Sequence, residues 1–234
     1  MRIDDLPKHL LAADSQHGHT ANELAGACLR HYPAGSTIFE PGDKKSSILF
    51  INTGWAICAK ILPNGTRIVT EFALRGDLIS TTSSALAQET IRALSPVSLY
   101  EFPGRLFGRG SDLTPQFAKI VITEMIKRLA RLSERIANIG RRDGLERTGH
   151  LLLELASRAS EDARPDFDGF VCPLKQSDIG DAVGLSTVHI NRVLKDMRTS
   201  GLLSFRNGIV EFLDRRRLMD LVDFDPGYLV SHID

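Results

Sequence analysis

The sequence predicts an α+β protein in three consecutive parts: a small antiparallel β roll, one long helix, and a C-terminal helix–turn–helix followed by a β hairpin. Three observations lead to this fold class. Short strand-like runs separated by turn residues fill residues 29–105. Apolar residues with coiled-coil spacing follow, up to about residue 140. Two short helical patterns then meet at Gly184, and a hairpin signal comes after them.

The first part contains runs rich in β-branched and aromatic residues: "STIFE", "SSILFI", "AICAKI", "RIVTEFAL" and "VSLYEF". The turn glycines between them, at positions 35, 42, 54, 65 and 76, are spaced by 7, 12, 11 and 11 residues. Such spacing is typical of a small antiparallel barrel or roll. Asn64-Gly65 is a good hairpin turn because both residues tolerate a positive φ. We predict a β-roll domain over residues 1–113, with a helical segment over about residues 1–28.

The second part, residues 114–140, has the period of a helix. Its apolar residues alternate spacings of four and three over roughly three heptads, which is the a/d pattern of a coiled coil. This pattern favours dimerisation over a helix that packs only on its own domain. The predicted dimerisation residues are Ile122, Met125, Leu129, Leu132, Ile136 and Ile139.

The third part, residues 141–234, opens with an amphipathic helix and a short strand, "FVCPL". In the segment "QSDIGDAVGLSTVHINRVL" that follows, Ser177 and Ser186 are placed to cap two helices. Gly180 lies where the two helices approach closely, and Gly184 lies where the turn needs a positive φ.

A hairpin with Asn207-Gly208 in its turn comes next, and Asp214 is placed to cap a final helix, "RRRLMDLV". A helix, a helix–turn–helix and a hairpin in this order make a winged helix-turn-helix. Residues 185–217 contain seven Lys or Arg and three acidic residues, although the formal net charge of the chain is zero. The basic surface is therefore expected to be local.

The second helix of the pair has the composition of a helix that reads DNA. Arg192 offers two donors to guanine, Asn191 suits an adenine, and Val188 suits a thymine methyl group. The polar residues around them are more typical of phosphate or edge contacts, which position the protein without specifying a sequence. The alternative is a solvated helix face. The predicted DNA-binding residues are Ser186, Thr187, Val188, His189, Asn191, Arg192, Lys195 and Arg206.

Together these motifs resemble the Crp/Fnr family of bacterial transcription regulators over about residues 29–222. The sensor pattern is "YPAGSTIFEPGD…ILFINTGWAICAKILPNGTRIVTEFALRGD", followed by the long helix and the helix-turn-helix. The resemblance implies a cyclic-nucleotide-binding-like sensor domain, a dimerisation helix and a winged helix. It further implies a homodimer that binds double-stranded DNA at a near-palindromic promoter site and contacts RNA polymerase.

The sensor pattern departs from that of the family members that bind cyclic AMP. Ser80 and Thr81 stand where those members carry a glycine and a ribose-binding glutamate. Ala87 and Gln88 stand near the place of a phosphate-binding arginine and serine, so a cyclic phosphate would lack its counter-charge. We expect a signal other than cyclic AMP. The candidate effector pocket comprises Gly76, Asp77, Ser80, Thr81 and Arg92.

Composition and motifs exclude other classes. No run of 18 apolar residues and no leader pattern is present, so we expect a cytoplasmic protein without a membrane partner. Three cysteines without a C-x-x-C pair predict neither a disulfide framework nor an iron–sulfur cluster, and we predict no cofactor and no metal. The remaining candidates for a haem ligand are His17, His19 and His31.

We find no nucleophile elbow, P-loop, H-E-x-x-H or dinucleotide fingerprint, and therefore predict no enzyme. The alternative function is a cyclic-nucleotide- or haem-binding sensor module whose winged helix mediates protein interaction rather than DNA reading. A salt series of binding to mixed-sequence duplex distinguishes the two, because only a DNA reader shows the steep slope of several phosphate contacts.

Overall fold

A computed structural model describes residues 27–43, 46–81, 88–104, 115–159 and 167–230 of the 234-residue chain. It confirms the predicted α+β class. The strands are β1 Cys28–Tyr32, β2 Thr37–Phe39, β3 Ser47–Thr53, β4 Ala56–Ile61, β5 Arg67–Ala73, β6 Leu78–Ser80, β7 Thr90–Ala93, β8 Val97–Pro103, β9 Gly169–Val171, β10 Leu203–Arg206 and β11 Ile209–Phe212. The helices are α1 Pro115–Arg141, α2 Gly144–Arg158, α3 Gln176–Val183, α4 Thr187–Thr199 and α5 Arg215–Val222, followed by a 3₁₀ helix, Pro226–Leu229.

The chain divides into two compact units. The first unit contains the chain up to Lys60 together with Phe72–Ile126. The second unit joins Ile61–Glu71, which covers the end of β4, the following turn and most of β5, to the chain from Lys127 onward. Across the described ranges, no helix combines the length and the apolar character needed to cross a bilayer.

Two four-stranded sheets, ordered β1-β8-β3-β6 and β2-β7-β4-β5, form the β roll. Alternate residues of each strand point to one side, so the apolar residues of both sheets meet in a common core. Leu49, Ile51 and Leu99 come from the first sheet, and Cys58 and Ile91 come from the second. Each is exposed by 4% or less, which places the core between the two sheets.

The turn at Asn64-Gly65 differs in detail from the prediction. Gly65 has φ +83°, but Asn64 is not among the residues with positive φ. The Gly65 amide donates to the Leu62 carbonyl (2.8 Å), and the Leu62 amide donates to the Thr66 carbonyl (2.8 Å). The loop is therefore one residue longer than a two-residue hairpin turn, and only its glycine needs the left-handed conformation.

The first turns of α1 pack on the outer face of β3 and β8. Phe117 lies 5.0 Å from Phe102 and 6.2 Å from Phe50, measured between ring centroids. Val121 extends the same cluster one turn further along α1. These residues anchor the N-terminal part of the helix in the first unit.

Beyond Ile126 the buried face of α1 becomes polar. Arg128, Arg131, Arg135 and Asn138 repeat at spacings of three and four, and each is exposed by 8% or less. Glu71 of β5 is the carboxylate at their centre, 2.9 Å from Arg131. Burial by itself would raise the pKa of Glu71, but the surrounding arginines, Arg131 first, hold it at about 2. This face of α1 is therefore held by ion pairs rather than by apolar packing.

A buried histidine of α2, His150, faces α1 and the C-terminal residues. The imidazole of His150 stacks edge-on against Phe224, with 5.0 Å between ring centroids. Nη1 of Arg142 donates to the side-chain oxygen Oδ1 of Asn138 (2.6 Å), so the side-chain nitrogen Nδ2 of Asn138 faces Nδ1 of His150 at 3.1 Å as a donor. Nδ1 must accept this bond, and the ring is therefore neutral with its proton on Nε2. Burial, Arg142 and Arg135 lower the pKa of His150 to about 4.

Candidate nucleic-acid interface

The helix-turn-helix consists of α3 and α4, and the cap of α3 differs from the prediction. The N-cap residue is Lys175 rather than Ser177, and the helix begins at Gln176. Lysine has no acceptor, so Asp178 supplies one in the first turn: its carboxylate accepts from the Lys175 amide at 2.8 Å. Ser177 therefore lies within α3, where an amide-capping role is not needed.

Two glycines set the angle between the helices, as predicted. Gly184 ends α3 with φ +72°, a conformation that residues with a Cβ rarely adopt. A Cβ on Gly180 would lie 2.5 Å from the Leu185 carbonyl oxygen and 3.5 Å from Ile190 of α4. Gly180 is thus in close contact mainly with the turn before α4, and only in part with α4.

α4 presents one apolar face to the core and one polar face to solvent. Ser186 caps it, accepting from the His189 amide at 3.3 Å. Ile190, Val193, Leu194 and Met197 are exposed by 6% or less, as the spacing predicted. The exposed face is formed by Thr187, Val188, Asn191, Arg192 and Lys195.

An open groove of about 480 Å³ runs along this exposed face. Asn191, Arg192 and Lys195 line it together with Arg198 and Gln176, two residues that are not among the predicted DNA-binding residues. Arg198 follows Lys195 by three residues, so helical periodicity could have found it. Gln176 comes from α3 and joins the groove only through the tertiary fold.

The remaining predicted contacts lie at the edges of this surface. A Cβ on Gly144, at the start of α2, would lie 3.1 Å from Nε2 of His189, so the His189 ring lies beside α2. Arg206 is exposed at the end of β10, directly before the wing turn. Asn207 and Gly208 both have positive φ (52° and 73°), which gives the tight hairpin that the dipeptide predicted.

Part of the local basic charge serves the fold. Arg215 pairs with Asp168 at 2.6 Å and covers the Phe212 ring at 4.1 Å. Arg217 donates to the Ser200 carbonyl at 3.1 Å. Of the seven basic residues between 185 and 217, six are exposed: Arg192, Lys195, Arg198, Arg206, Arg216 and Arg217. Arg215 is partly buried.

The predicted dimerisation residues form an exposed apolar stripe on α1, next to the face that carries its buried arginines. The exposed fractions reach 66% at Leu129 and 73% at Ile136, with Ile122 at 53%. Met125 and Ile139 are also exposed, and Leu132 is half-buried. Burying an arginine face while exposing isoleucine and leucine is the reverse of an ordinary surface helix.

The predicted effector residues are placed in turns and strands of the β roll. Asp77 accepts from the Leu74 amide at 2.6 Å, beside Gly76 with φ +88°. The Thr81 hydroxyl accepts from the Ser47 amide (3.0 Å) and donates to the Ser47 carbonyl (3.1 Å), and Ser80 is buried. Arg92 donates to the Gly35 carbonyl at 3.0 Å. Residues 82–87, including Ala87, lie outside the described residues.

Within the described ranges, no cluster of three or more histidine, cysteine or acidic side chains is arranged to hold a metal ion. Cys28 is exposed, Cys58 and Cys172 are buried, and none of these three forms a disulfide. Burial raises the pKa of Cys172 to about 12, so this thiol is protonated at neutral pH. His31 is exposed on β1, and the predicted haem candidates at positions 17 and 19 lie outside the described residues.

Both units match known domain families. Residues 146–221 match the model of a Crp-like helix-turn-helix domain, and residues 29–109 match that of a cyclic nucleotide-binding domain. The two matches occur in the order that defines one family of regulators. The chain belongs to the Crp/Fnr family of transcription regulators.

Relatives and solved structures agree with this assignment. The chain is 26% identical over 193 residues to the nitrogen fixation regulation protein FixK of Bradyrhizobium diazoefficiens strain USDA 110, covering 80% of this chain and 79% of FixK. It is 26% identical over 183 residues to the transcriptional activator FnrA of Stutzerimonas stutzeri, covering 77% and 74%. The fold matches that of FixK2 from Bradyrhizobium japonicum with a TM-score of 0.71 at 22% identity, over 83% of this chain and 96% of FixK2.

Crp/Fnr regulators bind DNA and dimerise, and they are transcription regulators rather than enzymes. This Crp/Fnr protein is accordingly a DNA-binding transcription regulator, as the sequence predicted.

Proposed function

We propose that the protein binds a near-palindromic promoter site as a homodimer, and that a signal other than cyclic AMP acts through its β roll. In this proposal α4 enters the major groove, and α1 joins the two chains. The dimer contacts RNA polymerase at the promoter, as the family resemblance implies. The exposed face of α4 is the observation that carries the proposal.

The α4 face has the chemistry of sequence reading. Arg192 and Asn191 are exposed on a helix whose opposite side is fixed in the core, so their positions are set by the fold. A guanidinium makes two bonds to guanine, and a side-chain amide makes two to adenine. Val188 is 71% exposed, so its methyl groups are accessible for contact with a thymine methyl group. Lys195, Arg198 and Arg206 supply positive charge beside these readers for the phosphates.

The stripe on α1 supports the homodimer. Its residues lie on one face of a continuous 27-residue helix, and a second copy of that helix is the partner with matching heptad spacing. Burying this stripe removes from water the exposed apolar side chains of Ile122, Leu129 and Ile136. A two-fold dimer presents two α4 helices, and this symmetry explains why the proposed site is near-palindromic.

The fold contacts of the β roll support a signal other than cyclic AMP. The hydroxyl of Thr81 is already bonded to both backbone groups of Ser47, and Asp77 closes its own turn. Both side chains are therefore engaged in holding the strands and turns of the β roll. Calorimetry with cyclic AMP tests this point: we expect no heat of binding at micromolar concentration, and saturable micromolar binding would contradict it.

Selection from random duplexes followed by a salt series tests DNA reading. We expect a two-fold related site, and a steep fall of affinity as salt increases. Arg192→Ala should weaken binding by about 1–3 kcal/mol per half-site and relax preference at one base pair. Lys195→Ala should weaken all duplexes alike and make the salt slope shallower. If Arg192→Ala keeps the wild-type affinity and base preference, α4 is not the reader.

A further inference from the structure

The segment Ile61–Glu71, called here the ionic arm, is continuous with the β roll but belongs to the C-terminal unit. It consists of the last residue of β4, a turn and the first five residues of β5. Side chains two residues apart along a strand share a face, so Arg67, Val69 and Glu71 point the same way. Val69 is buried, and each of the two charged residues makes ion pairs within the C-terminal unit.

The first contact joins the arm to the helix-turn-helix. Nη2 of Arg67 lies 2.5 Å from Asp178, and Nε lies 2.6 Å from Asp181, both on α3. These two carboxylates are three residues apart on one side of the helix, and one guanidinium bridges them. Burial tends to lower the pKa of Arg67, but its bonds and charge pairs with both aspartates raise it overall. The guanidinium is therefore charged, and it holds α3 at two points.

The second contact joins the arm to α1 and α2. The Glu71 carboxylate is 1% exposed and lies 2.9 Å from Arg131 of α1 and 3.4 Å from Arg158 of α2. Arg158 also reaches Glu154 at 3.1 Å. Removing one partner of a buried pair leaves an uncompensated charge, so this end of the arm is the more firmly fixed. Arg67, whose side chain is 31% exposed, is the end that releases more easily.

We propose that the ionic arm is a regulatory latch: bound through Arg67, it holds α3 and α4 in the arrangement that binds DNA. This inference rests on the proposed function and adds the route by which the β roll changes DNA affinity. A change in the strands that carry the arm would move Arg67 away from α3.

Two physical effects make the bound arm favour DNA binding. The two-point contact restrains α3 from turning about its own axis, and α3 is tied to α4 through the close contact between Gly180 and the Leu185 carbonyl. The single charge of Arg67 also offsets one of the two negative charges of Asp178 and Asp181, which would otherwise oppose the approach of phosphates to the same domain more strongly. Release of the arm loses both effects.

Paired substitutions of opposite charge test the latch. Arg67→Gln removes a positive charge and Asp181→Asn removes a negative one, and both positions are partly exposed, so both variants should fold. We expect each to weaken binding to the selected duplex by roughly fivefold, as for the loss of one ion pair. The double variant should be no weaker than either single one, and Arg67→Asp with Asp181→Arg should recover part of the affinity.

Lys60→Gln is the matched control, because it removes a positive charge next to the arm at a residue that lies in the other unit. Its affinity should stay within twofold of wild type. Hydrogen exchange of the amides of residues 61–71 provides a second readout without DNA: it should become faster in Arg67→Gln and in Asp181→Asn, and stay unchanged in Lys60→Gln.

Opposite effects of the two single variants would overturn the proposal, since they would show a through-space charge effect and no latch. Unchanged or increased affinity in both would overturn it as well. If the wild-type protein binds no duplex, the proposed function fails. The arm is then judged by hydrogen exchange alone, and equal exchange in all variants overturns it.

Discussion

The buried, neutral His150 predicts that the protein loses stability between pH 7 and pH 5. Acidification over this range leaves ordinary carboxylates ionised, so the protonation of His150 can be observed by itself. The unfolded chain takes up a proton on this histidine near the ordinary pKa of 6.5, whereas the folded chain does so only near 4. Between these values the unfolded state binds more protons, so lowering the pH favours unfolding. The stabilisation is fully present above pH 6.5 and is lost as the pH falls toward 4.

The size of the effect follows from the two pKa values of His150. At pH 5 the loss relative to pH 7 is about 2 kcal/mol, and at pH 4 it approaches about 3 kcal/mol. Glu71 does not contribute in the upper part of this range. Its pKa of about 2 lies below the ordinary 4.5, so the stability that it supplies is lost only as the pH falls from about 4.5 toward 2.

Urea unfolding at pH 7, 6 and 5, at one fixed protein concentration, measures the effect, and His150→Gln is the reference. The glutamine keeps a polar partner for Asn138 but does not titrate. We expect His150→Gln to be less stable than wild type at pH 7 and to lose about 2 kcal/mol less on moving to pH 5. An equal loss in both proteins would refute the assignment of His150 as a buried neutral base.

Three further predictions concern the apolar stripe of α1, the exposed face of α4 and Gly180 of α3. The double substitution Leu129→Asp with Leu132→Asp would place four charges between the two α1 helices of a dimer, at a cost of several kcal/mol. The variant should therefore sediment as a monomer, and a persistent dimer would contradict dimerisation through this stripe. Val188→Glu should shift base preference toward cytosine when the selection from random duplexes is repeated. A carboxylate accepts a hydrogen bond from the amino group of cytosine, and valine cannot. Gly180→Ala should lower the free energy of unfolding by about 1–3 kcal/mol, as its Cβ would meet the Leu185 carbonyl at 2.5 Å. Gly140→Ala, with nothing within 4 Å, should instead be neutral or slightly stabilising in the same urea titration.

Local chemistry explains which features the sequence predicted. Gly184, the Asn207-Gly208 turn and the caps Ser186 and Asp214 each favour a few residue types at one backbone position, so a single sequence reveals them. The apolar stripe of α4 follows from helical period alone.

The features that escaped prediction depend on residues far apart in the chain. Arg67 meets α3 across 111 and 114 positions, and Glu71 meets Arg131 across 60. No period or turn signal marks Arg67 or Glu71 as an ion-pair partner. The prediction that Ser177 caps α3 was wrong for a local reason. Asp178, one residue later, accepts from the Lys175 amide, and α3 therefore begins before Ser177.

The exposed face of α4 has a consequence for how this regulator changes over evolution. Val188, Arg192 and Lys195 project into solvent, while Ile190 and Met197 on the other side of the helix hold it in the core. Surface substitutions away from caps and ion pairs usually alter stability by less than about 0.5 kcal/mol. The proposed reading positions can therefore be exchanged without unfolding the protein, and new target sites become accessible through single substitutions. Gly180 and Gly184 lack this freedom, so the scaffold that presents these positions is expected to stay fixed while the DNA sequence that it recognises drifts.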